Sequence, residues 1–180
     1  MSDSHGLAAK WGCRAIGALL LLGCLSILPA GCAGYRLGSN LPPGISVVHV
    51  PTFINKTSEP RLEIETSQAT ISELQRDGTL SVSDRRKSDV ILKVTLVGFK
   101  LQPLRYEADR STTTREYRLT ITSDVVLVNR LTKEVMTHTT VRGEADFTPA
   151  GDLSSAKRRA LPEAARDLAH DIVESIVEYW

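Results

Sequence analysis

The fold class predicted by this 180-residue sequence is α+β: a two-layer sandwich in which a four-stranded mixed sheet carries two helices on one face. Three patterns lead there. Apolar residues alternate at Val90, Leu92, Val94 and Leu96, and again at Leu119, Ile121, Val125 and Leu127, the period of a strand with one buried face. A third alternating run, marked by Val135, Val141, Ala145 and Phe147, is joined to the second by Arg130-Leu131-Thr132-Lys133 alone, so the two pair as an antiparallel hairpin. Two further segments repeat at helical spacing, each with a single apolar stripe. Such a helix must lay its stripe on the sheet, and the order becomes β-α-β-β-β-α.

Taken in order, Ile45 to Pro51 is a β-rich run closed by a proline, and Thr52 to Pro60 reads as a loop. Asn55-Lys56-Thr57 fits a glycosylation sequon, which an export signal of bacterial type makes coincidental. Thr57 or Ser58 can cap a helix with Glu59 and Pro60 in its first turn, and Gly78 is a natural stop. The helix, about 61–77, would bury Ile64, Ser67, Ile71 and Leu74. A short strand at Leu80–Val82 can precede the long one, whose second face would carry Lys93, Thr95, Val97 and Phe99. Gln102 to Arg115 is polar and reads as a connection, and Tyr117 to Asn129 as the next strand. After Pro149-Ala150-Gly151, Asp152 can cap the last helix, with Leu161, Ala165, Leu168, Ile172, Ile176 and Tyr179 as its buried stripe. Pro162 implies either a separate turn at 153–160 or a kink. The sheet face away from the helices, with Glu134, Met136, His138 and Thr140 on the third long strand, is either a partner surface or a half-solvated, Thr-rich face.

The N-terminal stretch has its own logic. Lys10 and Arg14 precede an apolar run, Ala15 to Leu28, of signal-peptide length and too short to span a bilayer comfortably. Ala30 and Gly31 then sit directly before Cys32, the arrangement in which a bacterial lipoprotein cysteine takes a diacylglyceryl group and becomes the first mature residue. Several acyl chains on one cysteine make a durable anchor where one chain would not. The expected organisation is a signal peptide (1–31), a lipidated cysteine and extended tether (32–44), and a single domain (45–180). Pro29 stands where such a signal usually has Leu, so Leu21-Leu22-Gly23-Cys24 is a second candidate. An ordinary cleaved signal with a free cysteine is a third reading.

Cleavage removes Lys10, Arg14 and Asp3 from a chain of 22 basic and 21 acidic residues, leaving a balanced domain. That balance argues against a general nucleic-acid binder, so any anion recognition must be local. With Cys32 acylated no cysteine is left for a disulfide or thiolate metal site. His49, His138 and His170 are widely separated in sequence and show no metal-ligand spacing, and no nucleophile-elbow, P-loop or dinucleotide fingerprint occurs. No cofactor and no enzymatic activity are expected.

With the elements placed, a set of motifs stands out: Cys32 followed by Gly34-Tyr35-Arg36-Leu37, then Leu41-Pro42-Pro43-Gly44-Ile45 and Pro51-Thr52-Phe53-Ile54-Asn55-Lys56-Thr57. Glu73-Leu74-Gln75-Arg76-Asp77-Gly78, Ser88-Asp89-Val90-Ile91-Leu92 and Arg115-Glu116-Tyr117-Arg118-Leu119 follow in order. Through these motifs, in this order, the chain resembles the lipopolysaccharide-assembly lipoprotein family, LptE. The resemblance implies a domain anchored to the periplasmic side of the outer membrane, plugging a large lipopolysaccharide-inserting β-barrel of the LptD type. There it would assist the barrel's assembly and help deliver lipopolysaccharide to the outer leaflet. It also implies lipopolysaccharide-contacting basic residues around the loop entering the Glu-Tyr strand, here Arg105, Arg110, Arg115 and Arg118. Lys157-Arg158-Arg159 is the densest basic run and a further candidate, since arginine forks and lysine charges suit phosphate. For both groups the plainer reading is solvated surface charge. The alternative function is a stand-alone envelope lipoprotein binding a small ligand or cell-wall glycan, which requires an enclosed apolar pocket between helices and sheet.

Overall fold

A computed structural model of the protein describes residues 41–106, 114–149 and 151–177, with residues 105, 106, 114 and 115 described by backbone alone. The chain enters through a turn in which the Ile45 N–H donates to the Pro42 carbonyl (3.3 Å) and Gly44 takes a positive φ of 95°. It then forms β1 (Val47–His49) and β2 (Ile54–Asn55), α1 (Leu62–Asp77), β3 (Ser81–Val82), β4 (Val90–Tyr106), β5 (Thr114–Asn129), β6 (Val135–Phe147) and α2 (Leu153–Val177).

The sheet has six strands, where the sequence reading has four. The difference lies in two-residue strands that no periodicity can reveal: β3 adds outside β1, and β2 continues along the edge of β4 beyond β1. The order is β3-β1-β4-β5-β6, parallel where β1 meets β3 and β4 and where β2 meets β4, antiparallel through the β4-β5-β6 meander. The Asp89 carboxylate pins the start of β1 by accepting the N–H groups of Ser46 (3.0 Å) and Val47 (2.9 Å).

Both helices lie on one face, against each other, and α2 also packs on β5 and β6. Between helices and sheet, Leu92, Leu96, Leu119, Ile121, Leu127, Leu168 and Ile172 are fully buried. α2 rests so closely on β6 at Gly143 that a Cβ there would overlap the backbone of Ala164 and Leu168. The Asp167 carboxylate accepts the neighbouring Glu144 N–H (2.8 Å) and so satisfies part of the open edge of β6.

Two bulges re-aim side chains. In β4, Leu96 pairs with Ser123 but Gly98 with Thr122, so one extra residue enters there. Beyond it Phe99 turns to the helix side, paired with Ile121, and not to the outer face that strict alternation implies. In β6 the register slips between Val135 and Thr137, and Met136 likewise packs against the core. β4 also runs on to Tyr106, through residues that composition assigns to a loop. Among the described residues its far edge carries no strand past Leu96, which is why Pro103 is tolerated.

α1 starts at Leu62, and Arg61, in the left-handed region at φ 63°, stands at the cap in place of Thr57 or Ser58. Asn55 organises the preceding loop. Its Oδ1 accepts from the Thr57 N–H (2.9 Å) and its Nδ2 donates to the Glu59 carbonyl and to Glu63 (2.8 Å each). The buried side of α1 is Leu62, Thr66, Ser67, Thr70 and Leu74, with Ile64 exposed and Ile71 partly buried. Thr66 and Thr70 enter the core because their hydroxyls donate to carbonyls four residues back (2.8 and 2.9 Å). In α2 the Asp152 carboxylate caps the Ser155 N–H (2.8 Å), and the helix runs unbroken through Pro162.

Candidate functional site

Strand lengths give the domain two distinct ends. β4 and β5 run side by side from the Val90–Asn129 pair to the Tyr106–Thr114 pair, a span of about 50 Å at ~3.3 Å per residue. The entering chain at 41–45, the start of β1 and the β5–β6 hairpin occupy one end, called proximal here. The last pairs of β4 and β5, the close of β6 and the first turn of α2 occupy the other, distal end.

Of the basic residues singled out from sequence, those within the described residues lie toward the distal end. Arg105 lies in β4 paired with Glu116, and Arg115 lies in β5. Arg110 and Cys32 fall outside the described residues. Arg118 projects from the sheet face away from the helices. Its guanidinium grips its cross-strand partner Asp146 through Nε and Nη2 (2.7 Å each), and its Nη1 lies 3.1 Å from Glu144. The hydrogen bonds and charge of Asp146 raise the Arg118 pKa, and the same bonds hold the Asp146 carboxyl below its ordinary value. Both groups are solvent-accessible, so the pair fixes geometry more than it stabilises. Arg118 reaches a phosphate only by exchanging carboxylate partners.

Lys157, Arg158 and Arg159 lie in the first turns of α2. Lys157 turns inward: its ammonium pairs with Glu59 (2.8 Å) and stands 5.6 Å from the centroid of the Phe99 ring. Arg158 donates to Ser155 Oγ (2.9 Å) and Arg159 is exposed, with no partner among the described residues. Tyr117 stacks on Phe147 with centroids 5.9 Å apart, and Leu104 is 40% exposed. The distal end thus carries both cations and partly exposed apolar side chains, and among the described side chains Arg158 and Arg159 are the least committed.

Lys100 escaped the sequence reading. The bulge at Gly98 puts it on the outer face opposite Thr120, two pairs along the strands from Gln102 and Arg118, and it is exposed. The bulge was the missing signal, since Gly98 within an alternating run is the one local hint of it. The histidines stay apart: His49 Nδ1 is 3.1 Å from the Ser83 carbonyl, His170 Nδ1 is 3.5 Å from Glu73, and His138 lies exposed on β6.

By architecture the chain is a two-layer α+β domain in which a strand–helix unit is completed by an antiparallel meander and a closing helix. It belongs to the lipopolysaccharide-assembly family LptE, whose sequence pattern it matches over residues 45–176. It is thus an outer-membrane lipoprotein of the lipopolysaccharide-assembly type. No curated protein sequence matches it. Among solved structures it is similar to the protein XCC0632 of Xanthomonas campestris (12% identity, 73% of this chain and 86% of that one, TM-score 0.53), a likeness of fold. Looser matches are the PelC dodecamer of Paraburkholderia phytofirmans (13% identity, 79% and 94%, TM-score 0.48) and the rare lipoprotein B of Shewanella oneidensis (12%, 73% and 93%, TM-score 0.48).

Proposed function

We propose that this protein is the lipoprotein subunit of an outer-membrane lipopolysaccharide translocon. Anchored through Cys32 on the periplasmic side, it plugs and assists assembly of an LptD-type β-barrel and helps hand lipopolysaccharide outward. It acts without enzymatic chemistry and without a cofactor beyond its covalent lipid. The observation that carries this reading is the family match, which spans nearly the whole of the described domain. The geometry supports it: the chain enters at the proximal end, and the basic and aromatic groups stand at the distal end, about 50 Å away. A plug needs its chemistry on outer surfaces, and here the space between helices and sheet is filled by large buried side chains. A stand-alone ligand binder needs that space open, so the filled interior favours the translocon subunit.

Affinity purification from detergent-solubilised outer membranes tests the proposal. Recovery with a large β-barrel protein is the expected result; recovery without one would overturn it. For the distal residues, replacing Arg110 and Arg115 by Glu, and separately Arg158 and Arg159 by Glu, should weaken lipopolysaccharide binding. Unchanged affinity removes the corresponding pair from the site.

A further inference from the structure

β6 ends the sheet, and part of its outer edge is bare. Its register with β5 is unbroken from the Tyr117–Phe147 pair to the Leu127–Thr137 pair, so successive residues turn their backbone groups alternately toward β5 and away from it. The Glu144 N–H, which donates to the Asp167 carboxylate (2.8 Å), shows which set faces outward. His138, Thr140 and Arg142 belong to that set, and their backbone N–H and C=O groups have no hydrogen-bond partner among the described residues. Near Gly143 α2 lies hard against the strand. Toward Thr137 the two part, leaving an open depression of about 430 Å³ between residues 137–141 and Asp171, Glu174 and Ser175 of α2.

Two features mark this edge as a place where another strand adds. Residues 135–141 are mostly β-branched and include no Lys, Arg, Asp, Glu or Pro, so the charges and prolines that usually keep strands off an open edge are missing. The depression beside it is acidic: Asp171 and Glu174 line it, and no Lys or Arg does. Burial first, then Asp167 and Glu174, raise the Asp171 pKa against an opposing influence of His170, so a cation held there would relieve a repulsion the fold now carries.

We propose that the open edge of β6 receives an added strand from the β-barrel partner, an extended segment whose backbone pairs with His138 and Thr140 and which carries a Lys or Arg over Asp171 and Glu174. The inference rests on the translocon reading and names where on this domain the barrel takes hold. Pairing at these two residues supplies two donors and two acceptors, and strand addition is a recurring way to bind an extended segment at a sheet edge. Side chains alternate along the added strand, so those on its helix side meet the α2 carboxylates and a basic residue there fixes the register. A second copy of this chain fits badly, since pairing edge to edge would bring Asp171 and Glu174 against their own counterparts.

The test compares backbone hydrogen exchange of the lipoprotein purified alone with that of its complex drawn from detergent-solubilised outer membranes. The expected result is exchange at 137–141 slowed about tenfold or more in the complex, with most of that slowing lost when Asp171→Lys and Glu174→Lys are combined. Enclosure in a lumen without strand pairing would slow exchange equally in both complexes; that result overturns the proposal and leaves the translocon reading standing. Exchange no slower in the complex does the same. A lipoprotein that brings no barrel with it overturns the translocon reading and this proposal together. Thr140→Pro removes an outward N–H and spares the ladder with β5, so it should abolish the slowing while Thr140→Ser retains it. A photoreactive benzoylphenylalanine placed at Thr139 gives a readout free of charge reversal. It should crosslink to a barrel segment with a Lys or Arg within two residues, and crosslinks only to segments lacking one would overturn the proposal.

Discussion

Gly143 shows how tightly a single position can be constrained. Its missing Cβ lets α2 lie against β6, and an alanine there would put a Cβ 2.5 Å from Leu168 Cβ with backbone overlap besides. Gly143→Ala should destabilise by about 1–3 kcal/mol in urea unfolding, as overpacked sites do. Gly98→Ala meets only Thr122 Cβ at 3.2 Å and should be tolerated far better, so similar midpoints for the two variants would contradict the helix placement. Ser123 offers the opposite sign. Its hydroxyl is buried on the helix face of β5 with no hydrogen-bond partner among the described residues. Ser123→Ala should therefore raise stability by about 1 kcal/mol, and a loss of that size would show the hydroxyl to be satisfied. Neither effect is legible in sequence, where a serine or glycine in a strand looks like weak punctuation. What was legible is the alternation around them, because Leu119, Ile121, Val125 and Leu127 bury as the period of two requires.

At the scale of elements, the sequence located both helices, the three long strands, the tight β5–β6 link and the Asp152 cap. It misjudged phase where hydropathy and packing diverge. Thr66 and Thr70 outrank Ile64 in α1 because a threonine can satisfy its hydroxyl on its own helix and present a methyl to the core. It also read 102–115 as a loop, since the Arg-, Glu- and Thr-rich ends of β4 and β5 carry little apolar alternation. Arg105 and Arg115, read as loop residues, therefore lie within β4 and β5, whereas Arg118 lies inside its strand as read. α2 carries a further, testable feature. Asp171 sits between Asp167 and Glu174 along one side of the helix, and burial first, then repulsion from those two, raises its pKa. An acid with a raised folded-state pKa binds a proton more readily folded than unfolded. It therefore weakens the fold at neutral pH, and the penalty disappears as pH falls through the folded value toward the unfolded one. Asp171→Asn should stabilise at pH 7 by about 0.2–0.5 kcal/mol, the worth of a like-charge contact on a helix, with the gain vanishing near pH 3. A gain equal at both pH values would assign the effect to something other than charge.

For the whole molecule, the organising fact is polarity of ends. The chain enters beside Leu131 at one end of a sheet about 50 Å long, and Arg118, Arg158 and Arg159 lie toward the other. If lipopolysaccharide is met at the distal end, exchange of Arg158 and Arg159 for Glu should lower lipopolysaccharide affinity without touching membrane attachment. The most direct test is intact-mass measurement on the protein drawn from outer membranes in mild detergent. The expected species is a chain beginning at Cys32, carrying acyl groups and travelling in complex with a much larger barrel. A lone chain without lipid, released from the periplasm with no partner, would contradict it.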